Sequence, residues 1–176
     1  GTIQVDGKAM TVNQSTARMV ADWTSFSIGS GASVRFVQPS TSSVALNRVL
    51  GDQPSAIFGS LSANGHVYLQ NPSGVLFAPG AQVNVGSLVA TTLQADLSQF
   101  MAGQLRLSNG GAASGDVVNE GHITASPGGH VVLAGPRVAN HGSIEATEGT
   151  IGLAAGQAVT VDATGAGLLD IRVPVA

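Results

Sequence analysis

The sequence predicts an all-β chain, a right-handed parallel β-helix with an N-terminal β cap, and three observations carry that prediction. Gly is abundant and charge is scarce: 24 of 176 residues are Gly and 10% are charged, where ordinary domains hold about 7% and about 25%. Apolar and polar residues alternate over short runs, the period of a half-buried strand. Two unrelated motifs also recur at a common spacing of 20–21 residues, the signature of a stacked repeat.

Composition narrows the alternatives. A helical bundle needs charged solvent faces and rejects interior Gly. A disordered chain needs low hydrophobicity or high net charge, whereas this one is 43% hydrophobic with a net charge of −3. Seven Lys and Arg against ten Asp and Glu cannot build the basic stripe that holds a nucleic acid. No apolar run approaches the length of a membrane span. The first residues, Gly1 to Val5, lack the basic and apolar regions of a signal peptide. With no Cys, thiol catalysis, thiolate metal sites and disulfides are excluded. A Cys-free chain also suits passage across a membrane in unfolded form.

Along the chain, Val34–Gln38, His66–Gln70, Gln82–Val85 and Val159–Asp162 alternate as short strands. Turn signals separate them: Asn64-Gly65, Asn71-Pro72-Ser73-Gly74, Pro79-Gly80, Asn109-Gly110-Gly111, Pro127-Gly128-Gly129 and Gly165-Ala166-Gly167. Thr16–Trp23 and Leu93–Met101 are free of Gly and Pro and are expected to form helix of a turn or two at most.

The repeats define the coil. Val118-Asn119-Glu120-Gly121-His122-Ile123 returns 21 residues later as Ala139-Asn140-His141-Gly142-Ser143-Ile144, and Gly129–Ala134 returns 20 later as Gly149–Ala154. Gly65–Leu69 reads as an earlier copy about three periods upstream of Gly129. Twenty residues accommodate two or three strands of about five residues with their corners. Coils then stack about 4.8 Å apart, placing Asn119 under Asn140 in a corner ladder. Gly121 and Gly142 are expected to take the positive φ of a corner. A β-sandwich with similar hairpins is the competing reading, since its strands recur every 8–12 residues. One period shared by two motifs favours the helix. The cap and first coils are assigned to about residues 1–60 and the regular coils to about 61–176. Six of the seven aromatic residues precede residue 78, which suggests a plug at the N-terminal end. The segment Leu168–Ala176 shows no second cap, as in the start of a longer solenoid.

Catalytic signatures are missing. There is no Gly-x-Ser-x-Gly elbow, and the Gly-x-Gly triplets lack the third Gly of a dinucleotide loop. His66, His122, His130 and His141 form no i, i+4 pair and read as exposed positions, although stacking could bring some together. Asp96 and Asp116, 20 residues apart, could stack as the carboxylates of a polysaccharide-cleaving β-helix, a weak reading with only ten acids spread over the whole chain. No cofactor or metal is expected.

A family resemblance rests on ordered motifs: Trp23-x-x-Phe26-x-Ile28-Gly29, Val34-x-Phe36-x-Gln38-Pro39 and Leu46-Asn47-Arg48-Val49, then Gly59-x-Leu61-x-Ala63-Asn64-Gly65-x-Val67-x-Leu69, Asn71-Pro72-x-Gly74-Val75-x-Phe77 and Gly80-Ala81-x-Val83. These resemble the amino-terminal domain of two-partner-secretion exoproteins, of the filamentous-haemagglutinin and high-molecular-weight-adhesin type. The resemblance implies a non-enzymatic secretion domain of a Gram-negative exoprotein. It would be bound in unfolded or extended form by the periplasmic POTRA repeats of a TpsB-type outer-membrane transporter, then fold at the cell surface or in secreted form. A monomer with no membrane insertion is expected. The family motif Asn-Pro-Asn-Gly-Ile stands here as Asn71, Pro72, Ser73, Gly74 and Val75, a segment whose residue types also suit a type I turn. The Asn-Pro-Asn-Leu motif has no counterpart; Gln53-Pro54-Ser55-Ala56 occupies that region, which points to the adhesin branch. Adhesion, matrix binding, cytolysis or contact-dependent inhibition would reside in the passenger. The alternative is a self-contained carbohydrate- or host-binding module.

Overall fold

A computed structural model describes residues 1–163 and 169–174. Each coil turns through three parallel sheets. The broad sheet holds β1 (Thr2–Asp6), β2 (Ala9–Asn13), β4 (Ser33–Val37), β7 (Ser60–Ala63), β10 (Gln82–Val85), β15 (His122–Ala125) and β18 (Ser143–Ala146), in that order. The second holds β3 (Arg18–Trp23), β5 (Val44–Val49), β8 (His66–Gln70), β11 (Ser87–Thr91), β16 (His130–Gly135) and β19 (Thr150–Ala155). The short sheet holds β6 (Ser55–Ile57), β9 (Val75–Phe77), β14 (Val117–Asn119) and β17 (Val138–Asn140). Only β1 runs antiparallel to its neighbour in these three sheets, closing the first coil with a hairpin.

Two devices explain the packing. The broad sheet has one face in solvent, so β4 and β10 alternate buried and exposed residues. The second sheet is buried on both faces, and β11 and β16 are buried throughout. Its inner face joins the interior of the solenoid, where Leu61, Val83, Leu88, Ile123, Val131 and Leu133 form layers with no exposed surface. Its outer face is covered by a flanking antiparallel sheet of β12 (Gln94–Ala95), β13 (Leu105–Ser108), β20 (Ala158–Ala163) and β21 (Leu169–Arg172), together with the helix α1 (Leu97–Met101). Asp96 caps α1, accepting a bond from the Gln99 N–H at 3.1 Å.

The flanking sheet accounts for several departures from expectation. Val159–Asp162 is a strand, but it pairs with β13 outside the coils. The excursion carrying β12, α1 and β13 leaves the coil after β11 and rejoins it at β14, so Gly65–Leu69 lies two coils below Gly129–Leu133, not three. Asp96 and Asp116 sit at opposite ends of that excursion and do not stack; Asp116 pairs with Arg137 at 2.8 Å. Arg18–Trp23 is a strand rather than a helix. Its alternation lets Met19 and Trp23 pack inward while Arg48 grips Asp22 across the neighbouring strand with two bonds of 2.7 and 2.8 Å. Helix is confined to Leu97–Met101 within the longer segment predicted.

The aromatics do not form one N-terminal plug. Trp23 and Phe26 meet edge-on at 5.3 Å, but Phe36 and Phe77 lie within the interior layers, Tyr68 packs against Phe100 of the excursion's own helix, and Phe58 is 46% exposed. The Gly165-Ala166-Gly167 turn lies outside the described residues, as do parts of the C-terminal segment.

Candidate functional site

Asn71 begins the corner between β8 and β9, and its side chain has no exposed surface. Asn71 Nδ2 donates to Gln53 O at 2.9 Å and to Ser55 Oγ at 3.0 Å, and its Oδ1 accepts from the Ser73 N–H at 3.0 Å. The Gly74 N–H closes the turn onto Asn71 O at 3.1 Å. Gly74 has φ +139°, a backbone that side chains other than hydrogen disfavour. Its carbonyl accepts from the Ser55 N–H one coil below, and the Val75 N–H donates to Asp116 O one coil above. Pro72 and Ser73 are half-buried, and Val75 is buried in the interior. Both Nδ2 hydrogens of Asn71 and its Oδ1 are therefore engaged inside the domain.

Asn119 and Asn140 are register partners on β14 and β17. Asn119 Nδ2 donates to Asn140 Oδ1 at 2.9 Å, while each Oδ1 accepts from the N–H two residues on, Gly121 at 3.0 Å and Gly142 at 3.2 Å. The reason for glycine here differs from expectation. Neither Gly121 nor Gly142 has a positive φ. A Cβ on Gly121 would stand 2.8 Å from Ala81 Cβ and 2.9 Å from Ala78 O, and one on Gly142 would overlap Gly121 O. Close approach of successive coils, not backbone conformation, excludes a side chain.

A second polar stack escaped the sequence reading. Gln38 Nε2 bonds Gln14 Oε1 at 3.1 Å and also reaches Ser43 O and His66 O, and its Oε1 accepts from the Gly65 N–H at 2.9 Å. Both glutamines are buried, so these bonds satisfy coil corners that water cannot reach. Their spacing of 24 residues differs from the repeat, so periodicity could not reveal them; two glutamines following the alternating runs of β2 and β4 were the available signal.

The histidines divide. His122 lies on the solvent face of the broad sheet, bonding Ser143 Oγ through Nδ1, with Glu145 Oε1 3.8 Å from Nε2. This resembles a hydrolytic triad in composition only, since the Ser143 N–H is bonded to Gly121 O and is not free to hold an oxyanion. His141 is exposed. His66 and His130, expected in exposed positions, instead come together through stacking, their rings 5.5 Å apart beside Tyr68, with His130 buried. Among the described residues no group of three or more His, Asp or Glu could hold a metal ion, and no helix is long and apolar enough to cross a membrane.

The sequence model of the TPS secretion domain matches residues 1–171. The chain belongs to that family. The HMW1 secretion domain from Haemophilus influenzae superimposes over 99% of the TPS chain and 46% of its own length, with a TM-score of 0.89 at 30% identity. A Heme/hemopexin-binding protein of H. influenzae strain Rd is 42% identical over 146 residues, which is 80% of this chain and 16% of that protein. A second H. influenzae protein of the same name is 45% identical over 95 residues, 10% of its length. The TPS domain thus spans less than a fifth of these relatives. Its family is one of secretion domains of exoproteins that leave through the outer membrane, not a family of enzymes.

Proposed function

We propose that this TPS domain directs a longer, adhesin-like exoprotein through the periplasm to a partner outer-membrane transporter, whose POTRA repeats capture it before it folds, and that it then seeds folding at the cell surface. The family match across residues 1–171 carries the export reading. The geometry of the coil that carries β18 and β19 supports the seeding. Ile151 and Leu153 on β19 continue the inward-facing columns of Val131 and Leu133, yet they are 46% and 51% exposed, while Val131 and Leu133 have no exposed surface. Ile144 and Val138 likewise continue the columns of Ile123 and Val117 and are only half-buried. A following coil laid in register would cover this layer. Burial at roughly 25 cal/mol per Å² would favour its addition without ATP.

Export is tested by fusing the chain to a reporter and measuring release with and without the partner transporter. Transporter-independent release would overturn the reading. For seeding, Ile151→Ser is expected to cost the isolated chain less than about 1 kcal/mol, because the side chain is half in water already. In a chain extended by the next coils the same change should cost clearly more in denaturant melts. Equal costs in the two chains would count against a covering coil.

A further inference from the structure

On the outer face of the second sheet, register aligns Arg18, Val44, His66 and Ser87 on successive strands, and Ser87 Oγ accepts from the His130 N–H at 3.0 Å. Thr150 follows His130 in the same column. The His66 and His130 rings therefore straddle Ser87, edge to face at 5.5 Å. His130 also lies 6.4 Å from the Tyr68 ring, which packs at 6.2 Å on Phe100 of α1. Arg18 completes the floor, with its guanidinium 5.6 Å from the centre of the Phe100 ring and Nη1 donating to Phe100 O at 3.3 Å. His130 Nε2 is buried without a hydrogen-bond partner among the described residues.

We propose that His66 and His130 form an acid-sensitive latch that holds the excursion, β12, α1 and β13, against the second sheet. A neutral pair packs as two aromatic rings. A protonated pair places two imidazolium charges beside each other and near Arg18, and among the described residues the covering elements supply no anion. The charged groups of the covering elements face away: Asp96 is spent capping α1, Arg106 is exposed between buried Leu105 and Leu107, and Asp162 follows buried Val161 on the outward side of β20. Tyr68, the remaining titratable neighbour, is held neutral by burial, which pushes its hydroxyl up to about 12. Opening the excursion would hydrate the imidazoles and expose Val89, Val132, Leu105 and Leu107.

Burial, then the neighbouring His66, lowers His130 from 6.5 to about 4, and burial, then Arg18, lowers His66. Both groups bind fewer protons closed than open. The closure they favour is complete above about pH 6.5 and is lost as pH falls toward the lowered values. His130 alone should raise the opening constant about 30-fold between pH 7.5 and pH 5.

Hydrogen exchange on the whole chain, corrected for the intrinsic pH dependence of exchange, reads this directly. The Leu105–Ser108 amides should lose protection by about that factor while Gln82–Val85 of the broad sheet keep theirs, and His130→Leu should flatten the change to under about 5-fold. Equal loosening of both strands, or an unchanged rise in His130→Leu, would overturn the latch. Should that variant fail to fold, imidazole proton NMR on the unsubstituted chain decides: a His130 midpoint near 4 supports the latch and one near 6.5 removes it.

Discussion

Replacing Gly129 with alanine is expected to destabilise the domain by about 3 kcal/mol or more, lowering its thermal midpoint by roughly 10 °C. Gly129 stands at the corner between β15 and β16, directly above Gly86 and below Gly149. A Cβ there would overlap Gly86 O and come within 2.9 Å of Ser126 O. Both obstacles are backbone, so no rotamer relieves them and two coils must separate. Separation would strain the ladder bonds along β11 and β16, which pair through four residues. The adjacent Gly128 makes the control. It has φ +78° and open space around its missing Cβ, so Gly128→Asn, which tolerates that φ, should cost less than about 1 kcal/mol. Comparable losses from the two substitutions, measured by thermal and urea melts, would show that the coils can part at this corner.

The contrast explains why the glycine count was legible in kind but not in cause. Twenty-four glycines in a low-charge chain point to corners, and the 20–21-residue spacing points to stacking. Which glycines serve conformation and which serve contact depends on the distance between coils, and no local pattern encodes that. The broad sheet was readable because one face is wet and its strands alternate. The second sheet has two dry faces, so Val131-Val132-Leu133-Ala134 carries no period of two and was placed by its repeat instead. The excursion was hidden because it keeps the length of about one coil: Gly86 and Gly129 are register neighbours 43 residues apart. That insertion made Gly65 appear three coils from Gly129, lent Asp96 and Asp116 a false stacking distance, and concealed the meeting of His66 with His130.

Asn71→Ala is expected to cost about 2 kcal/mol, because it leaves the buried Ser55 Oγ and the partly buried Gln53 O and Ser73 N–H without their partner. Asn71→Asp should fare no better, since a carboxylate retains the bond from Ser73 but turns an oxygen toward Gln53 O. These losses follow from the folded corner alone and make any secretion defect ambiguous. Recognition by a transporter can be separated from folding because the buried side chain is accessible only before the turn closes. The comparison needs a substitution that destabilises as much but lies elsewhere, and Asn119→Ala supplies it: Asn119 is equally buried and bonds Asn140 and Gly121. If Asn71 acts only through the turn, the two variants should lose secretion in step with their stability and bind POTRA repeats equally when held unfolded. If Asn71 is read directly, the unfolded Asn71→Ala chain alone should bind more weakly. Normal secretion of Asn71→Ala would rule out the recognition role altogether. The turn would then be a structural corner whose Asn is required by the Gln53, Ser55 and Ser73 groups that it bonds.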